Sequence, residues 1–467
     1  MARRSATRLQ LSGHRFLMRR LAHALVRGDA AMLDDPLRAQ AVAYGTGCVL
    51  AAVAVAVCAV IAVVRPGAAP RDAPILMARE TGALYVRIDD VVHPALNLSS
   101  ARLVVGAPAD PVVVDDSALA KLRRGPLVGI PGAPAHLGPP LRLDESVWAI
   151  CDVRKSAETV LLAGQEIAPL PEGQALLVSA RAPGAPTYLL ADGRRARVDL
   201  RDIAVVRALH LEQVTAQPIS QALLDSAPEV PALRAPSIPG AGTPGPAALG
   251  SLPVGTVIRV MRAGPAEYYV VLTDGLQRLG RVAADVIRFS VAQPDAEPPV
   301  VAADVVAAVP VADSLAVGRF PERVLPGARA VICARWNSRR SDPDTNTAVA
   351  VADSLPEGSV QLAQADGDGP NIDRSHIPAG RSVLLQATGV TGDDGAGGFT
   401  GPLYLLDDLG VLFGVRDGAT AEVLGVGTTP IPAPWPMVAM LPRGPELNRE
   451  AASLVRDSLS GLPAAPA

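Results

Sequence analysis

Residues 41–64 of this chain read AVAYGTGCVLAAVAVAVCAVIAVV, twenty-four positions without a charge. As an α-helix rising about 1.5 Å per residue the run spans roughly 36 Å, against roughly 30 Å of bilayer hydrocarbon. It is long enough to cross a membrane with some tilt, which assigns everything else to one side or the other. A secretory signal would have a shorter apolar region, about 7–15 residues, near the start and followed by a small-residue cleavage site. Here forty residues precede the run. They hold Arg3, Arg4, Arg8, Arg15, Arg19, Arg20, Arg27 and Arg38 against Asp29, Asp34 and Asp35. Arginine density beside a span marks the cytoplasmic side. The expectation is a single-pass membrane protein with its N-terminus inside and roughly four hundred residues across the membrane.

The chain has 43 basic and 46 acidic residues, net −3. With eight arginines against three aspartates in the first forty positions, the remainder carries an acidic excess of eight. The exported side therefore has no basic surplus of the kind that binds nucleic acid. A hydrophobic share of 49% is ample for a core, and this length implies more than one domain. Aromatics are only 3%, so Val, Leu and Ala must fill that core. The 44 prolines and 42 glycines favour many turns and short strands over long helices.

Cys48 and Cys58 lie in the apolar run, where cysteine acts as a small apolar residue. Cys151 and Cys333 lie outside it, in a compartment that permits disulfides. Their contexts mirror one another, Trp148-Ala-Ile-Cys151 and Cys333-Ala-Arg-Trp336, and both runs read as buried strands. A bridge between them closes a long loop and contributes about 2–5 kcal/mol; two free buried thiols are the alternative. No CxxC pair or histidine cluster supports a metal site.

Residues 9–27 have helical periodicity, with Leu17, Leu21, Ala24 and Leu25 on one face, Phe16 at its edge and Ser12 as N-cap. Such a basic helix lies on an anionic leaflet or docks on a cytosolic partner. Arg15, Phe16, Arg19, Arg20 and Leu25 are the candidate contact residues. Asp35-Pro36 breaks the pattern before the span.

Four later stretches, 83–106, 187–209, 268–289 and 403–427, share a plan: a tyrosine in an apolar run, an acidic turn, a polar run, then an apolar stretch. The turns are Asp89-Asp90, Asp192-Gly193, Asp274-Gly275 and Asp407-Asp408, a hairpin signal. The stretches LSSARLV, DLRDIAVV and AADVIRF read as short helices capped by Ser or Asp. Together these suggest duplication of a small unit. The expected fold is mixed α+β and β-rich: a single N-terminal transmembrane helix plus a large extracytoplasmic domain, with a central disulfide-stapled β domain and four small repeat units. The layout is a cytoplasmic basic segment (1–40), the span (41–64) and a linker with the first unit (65–126). A discontinuous central β domain (127–165 and 320–390) encloses the second unit (166–225), a Pro/Gly/Ala-rich linker (226–256) and the third unit (257–319). The fourth unit (391–430) and a tail (431–467), helical toward its end, complete it.

Catalytic motifs are lacking. There is no Gly-Lys pair and hence no Walker A loop, and no GxSxG, SxxK or HExxH. His93, in a turn before Pro94, and His136, His210 and His376 are scattered. Asp366-Gly-Asp-Gly369 with Asn371 and Asp373 offers oxygens for Ca²⁺ without the spacing of an EF-hand; Asp393-Asp394 is a weaker candidate. No catalytic, cofactor or metal residue is assigned.

The N-terminal residues Gln10, Ser12-Gly13, Arg15-Phe16, Arg19-Arg20, Ala24-Leu25-Val26, Asp29, Asp35-Pro36-Leu37-Arg38 and Gln40 carry a resemblance. So do HPALNLSSARL (93–103), LPRGPELN (441–448) and the Trp148/Cys151 and Cys333/Trp336 pairs. Nearly end to end, the chain resembles EccB, a membrane subunit of the type VII (ESX) secretion systems. The resemblance implies an inner-membrane scaffold on the periplasmic side of an export channel. Its implied partners are the EccC, EccD and EccE subunits and the MycP protease, with ectodomains that associate with one another. The family is sometimes labelled ATPase, against which stands the absence of a P-loop. A nucleotide hydrolase and a cell-wall-binding envelope module are the alternatives.

Overall fold

A computed structural model describes residues 7–28, 36–64, 73–262, 264–290, 297–318, 320–337, 346–390 and 401–457. The chain divides into two units, Met1–Asp72 and Ala73–Ala467.

The described residues of the first unit form two helices. Helix α1 (Arg8–Arg27) begins at Thr7, whose backbone N–H donates to Gln10 Oε1 at 3.1 Å, and ends at Gly28 in the left-handed region. Ser12 is not the cap: it lies inside the helix with its hydroxyl on Leu9 O. Thr7 takes that role five residues earlier, where Gln10 reaches back to its backbone N–H. Helix α2 (Pro36–Val64) starts on a proline, tolerated where no intrahelical N–H is needed. Its stretch Gln40–Val60 is long and apolar enough to cross a membrane, and none of it is buried within the chain.

The second unit is sheet-rich, and among its described residues the strands form five sheets. A six-stranded sheet has the order Thr347–Ala352, Val331–Asn337, Val147–Val153, Thr159–Ala163, Arg374–His376, Val360–Gln361. Its middle strands alternate side chains into two cores, so both faces are apolar and the runs are continuously hydrophobic.

The four patterned stretches each fold as an antiparallel hairpin followed by a helix. They are Leu84–Ile88 with Val91–Ala95 and helix Leu98–Val105, Thr187–Ala191 with Arg194–Val198 and helix Ile203–Ala208, Glu267–Val271 with Leu276–Leu279 and helix Arg281–Ser290, and Leu403–Leu406 with Leu412–Val415 and helix Gly418–Leu424. Asp192 and Gly193 both have positive φ, 48° and 75°, as a two-residue hairpin turn requires. The helices then pair. Ile203–Ala208 packs on Arg281–Ser290, and Leu98–Val105 packs on Gly418–Leu424 and on Arg449–Ala452. The first and fourth hairpins thus share one core, and the second contributes with helix Arg281–Ser290 to another.

Several local expectations shift. The cap of Leu98–Val105 is Asn97, which accepts from Ser100 N at 2.9 Å, while Ser99 and Ser100 sit inside the helix. The cap at Asp202 is acidic as expected, whereas Asp285 of 283–289 lies inside the helix Arg281–Ser290 and does not start it; Asp417 caps the fourth helix. The stretch 382–390 leaves the cysteine sheet: Val383–Thr388 pairs with Leu403–Leu406 and Ile431–Pro434. Segment 226–256 contributes an edge strand, Glu229–Leu233, parallel to Arg194–Val198. Residues 458–467 of the tail lie outside the described residues, and before them the helix toward the end is short. Asn448 caps only Arg449–Ala452, after which Val455–Arg456 pairs with Leu127–Val128.

Candidate functional site

Cys151 and Cys333 stand directly opposite one another on antiparallel strands, in a register running from Val331↔Val153 to Asn337↔Val147, and form a disulfide. Strand alternation sends both sulfurs to the face that carries Ala149, Val160, Leu162, Val331 and Ala350. Trp148 and Trp336, also opposite each other, enter the other core. Both are essentially inaccessible, and their indole N–H groups donate to Pro432 O at 3.1 Å and Val390 O at 2.8 Å. The bridge therefore staples two strands that come from positions 182 apart and are already hydrogen-bonded.

Buried charges tie the hairpin units to this centre. Asp152 accepts from Thr159 Oγ1 (3.0 Å), Ser220 Oγ (2.8 Å) and Ser220 N, and pairs with Arg181 at 3.0 Å. Burial pushes its carboxyl above the ordinary value, while Arg181, Ser220 and Thr159 pull it back. Arg102 donates to Ala109 O (3.1 Å), to Asp110 (2.9 Å) and, at 2.7 Å, to Leu424 O at the end of Gly418–Leu424. A cation there satisfies an orphan carbonyl and the helix dipole together. Gly425 makes room, since a Cβ on it would lie 2.8 Å from Arg102 Nη1.

The sequence candidates for chemistry stay apart. His93 lies on a strand rather than in a turn, with Nδ1 2.9 Å from Pro126 O. The stretch around it pairs in register with Leu84–Ile88, which extends the hairpin through Pro94. His136 and His210 are exposed, and His376 is buried, which lowers its pKa and favours the neutral ring. Asp373, offered for Ca²⁺, is buried and accepts from Thr159 N, Asp366 N and Gly367 N at 2.7, 2.8 and 2.6 Å. Its oxygens are spent on backbone N–H groups. Asp393-Asp394 lies outside the described residues. Among the described residues no group of three metal-ligating side chains converges. A cavity of about 630 Å³ opens beside the cysteine sheet over Val153, Val160, Val331 and Leu355, rimmed by Lys155 and Arg374, and its lining holds no histidine or cysteine.

Arg15, Phe16, Arg19, Arg20 and Leu25 all sit on α1 with exposed side chains. At 100° per residue the first four occupy one arc, whereas Leu25 projects opposite Phe16, on the face of Leu17 and Leu21. One feature escaped the sequence reading. The Tyr404 and Trp435 rings stack at 5.3 Å, and the Arg443 guanidinium lies 4.8 Å from the Trp435 ring centre and 5.6 Å from that of Tyr404. Its only sequence signal is a tryptophan framed by prolines, PAPWP.

Residues 3–461 match the family model described as type VII secretion system ESX-1, transport TM domain B. The chain is 36% identical to the ESX-3 secretion system ATPase EccB3 of Mycolicibacterium smegmatis, over 98% of this chain and 92% of that protein. It is 33% identical to the ESX-5 secretion system ATPase EccB5 of Mycobacterium marinum, over 97% and 94%. In structure it is similar to a chain of an intact ESX-5 inner membrane complex, with TM-score 0.70, 30% identity and coverage of 100% and 98%. It is likewise similar to the EccB3 dimer from the ESX-3 core complex, with TM-score 0.69, 33% identity and coverage of 82% and 100%. A chain with this long apolar helix, this stapled sheet and this end-to-end likeness belongs to the EccB family of type VII secretion transport proteins.

Proposed function

We propose that the chain is a structural core component of a type VII secretion complex in the inner membrane. The observation that carries this is the likeness to a chain of an intact ESX-5 inner membrane complex over the whole length, apolar helix included. In this reading the arginine-rich N-terminus is cytoplasmic and the second unit is periplasmic. A structure described as the periplasmic assembly of an ESX-5 complex, similar over 85% of this chain, supports that orientation.

Arg15, Phe16, Arg19, Arg20 and Leu25 contact the cytosolic side of the assembly, Leu25 from the opposite side of the helix. EccC, EccD and EccE are the neighbours and MycP lies nearby, while ectodomains associate with each other; the dimeric EccB3 structure supports the last point. The four hairpin–helix elements descend from one duplicated unit, a reading supported by their common order of elements and pairwise helix packing. The domain boundaries read from the sequence belong to the same proposal.

The relatives' names include the word ATPase. The scaffold reading assigns nucleotide turnover elsewhere, because phosphate cradling by a P-loop needs a Gly-Lys pair this chain does not contain. The test is deletion of the chain from its own cells. The scaffold reading expects loss of the membrane assembly and of export, both restored by the wild-type chain. Export that continues without it refutes the reading.

A further inference from the structure

Four of the eight residues of the run LPRGPELN (441–448) have an evident fold task. Leu441 and Leu447 are buried. Gly444 lies under the Phe413 ring, where a Cβ would come within 2.1 Å of Cε1. Asn448 caps the next helix through Ala451 N at 2.8 Å. Arg443 alone is an exposed cation whose side chain makes no hydrogen bond or ion pair among the described residues. Its interactions are with the stacked Tyr404 and Trp435 rings. Trp148 and Trp336 are buried; Trp435 is half-buried at the surface.

We propose that the Tyr404–Trp435–Arg443 stack is an anchor for an acidic segment of a different protein chain in the assembly. The proposal rests on the scaffold reading above and names a contact within it. Two ring faces hold the guanidinium in place, so little side-chain entropy remains to be lost on binding. Its edge N–H groups form a planar fork that fits a carboxylate. Trp, Tyr and Arg are the residues enriched at the energetic centres of protein interfaces. A sugar would use an open aromatic face, and Arg443 already lies over both rings. The acidic excess of the chain beyond residue 40 disfavours nucleic acid. Glu446, the nearest acidic residue of the run, lies instead against Gly414, the cross-strand partner of Tyr404.

The experiment uses the full-length, C-terminally tagged chain in its native membranes. Arg443→Glu, Arg443→Lys and wild type are extracted in mild detergent and sized on native gels, with the melting temperature of each checked. A benzophenone amino acid at position 446 records the neighbour. The expected result is a roughly tenfold drop in the assembled fraction for Arg443→Glu. Arg443→Lys keeps the charge but not the planar fork, and a drop of about threefold is expected. Both should melt like wild type, because the side chain is exposed, and the crosslink should map to an Asp/Glu-bearing segment of another protein. Assembly of Arg443→Glu at the wild-type level overturns the proposal, as does a crosslink to a second copy of this chain or to non-protein material. If the wild-type chain assembles and the variants match it, only this contact falls. A wild-type chain that runs free takes the scaffold reading down with it.

Discussion

Replacing Cys151 and Cys333 by alanine isolates the work of the staple. The loop it closes separates residues 182 apart. By the chain-entropy relation such a crosslink removes about 5 kcal/mol of unfolded-state freedom, and native bridges typically deliver about 2–5 kcal/mol. A unit of roughly 400 residues unfolds with an entropy near 0.8 kcal/mol/K, so the melting temperature should fall by about 3–6 °C. The native strands should stay paired, because seven register pairs and two buried tryptophans hold them independently of the sulfurs. Differential scanning fluorimetry of the soluble 73–467 fragment under non-reducing conditions reads the shift. The single variants give a sharper check: each already abolishes the bridge, so the double variant should cost little more than either alone. Single effects that sum to the double effect, or a double variant melting within 1 °C of wild type, would refute the reasoning.

The remaining predictions concern positions where geometry leaves little latitude. Gly193 has φ 75°, and a Cβ there would come within 2.3 Å of the Thr347 carbonyl carbon; Gly193→Val should cost about 2–3 kcal/mol or more in urea unfolding, and a neutral result would contradict the turn. Arg102→Met keeps the apolar stem but strands Leu424 O, for an expected loss of about 1–3 kcal/mol by the same assay. Asp152 has its pKa raised by burial. A raised carboxyl means the folded state holds the proton more tightly, so its contribution improves as pH falls from the folded value toward the ordinary 3.8. The stability of wild type relative to Asp152→Asn should therefore rise on acidification from pH 7 toward 4; a relative stability that falls would mean that Arg181 outweighs burial. Deleting residues 9–27 should release the chain from its cytosolic neighbours while leaving the melting of the second unit unchanged.

Much of the architecture is written in local patterns. An uncharged run longer than a bilayer announces the helix Pro36–Val64, and acidic turns between apolar runs announce the hairpins, since few residues accept the φ of Asp192 and Gly193. The Cys–Trp mirror announces a paired sheet because alternation sends cysteines and tryptophans to opposite faces. What pattern does not carry is which strand joins which sheet. Val383–Thr388 is as apolar as the cysteine strands, and only its tertiary neighbours place it with Ile431–Pro434. The cap of Leu98–Val105 lies two residues before Ser99 because Asn97 competes successfully with Ser99, whose hydroxyl goes to Pro134 O instead. The tail turns into a short helix and a strand, although its composition suits a longer helix, because Val455–Arg456 finds an open edge at Leu127–Val128. The Arg443 stack leaves little trace in sequence because Tyr404 and Trp435 lie thirty-one positions apart and meet only because Leu403–Leu406 and Ile431–Pro434 both pair with Val383–Thr388.

The scaffold claim is tested most directly by extracting the tagged chain from native membranes in mild detergent, sizing it on a native gel and identifying the chains that accompany it. A species far larger than the chain itself, containing a multi-span subunit and a separate P-loop motor, is the predicted result. A free monomer or a small homo-oligomer lacking those companions would contradict it.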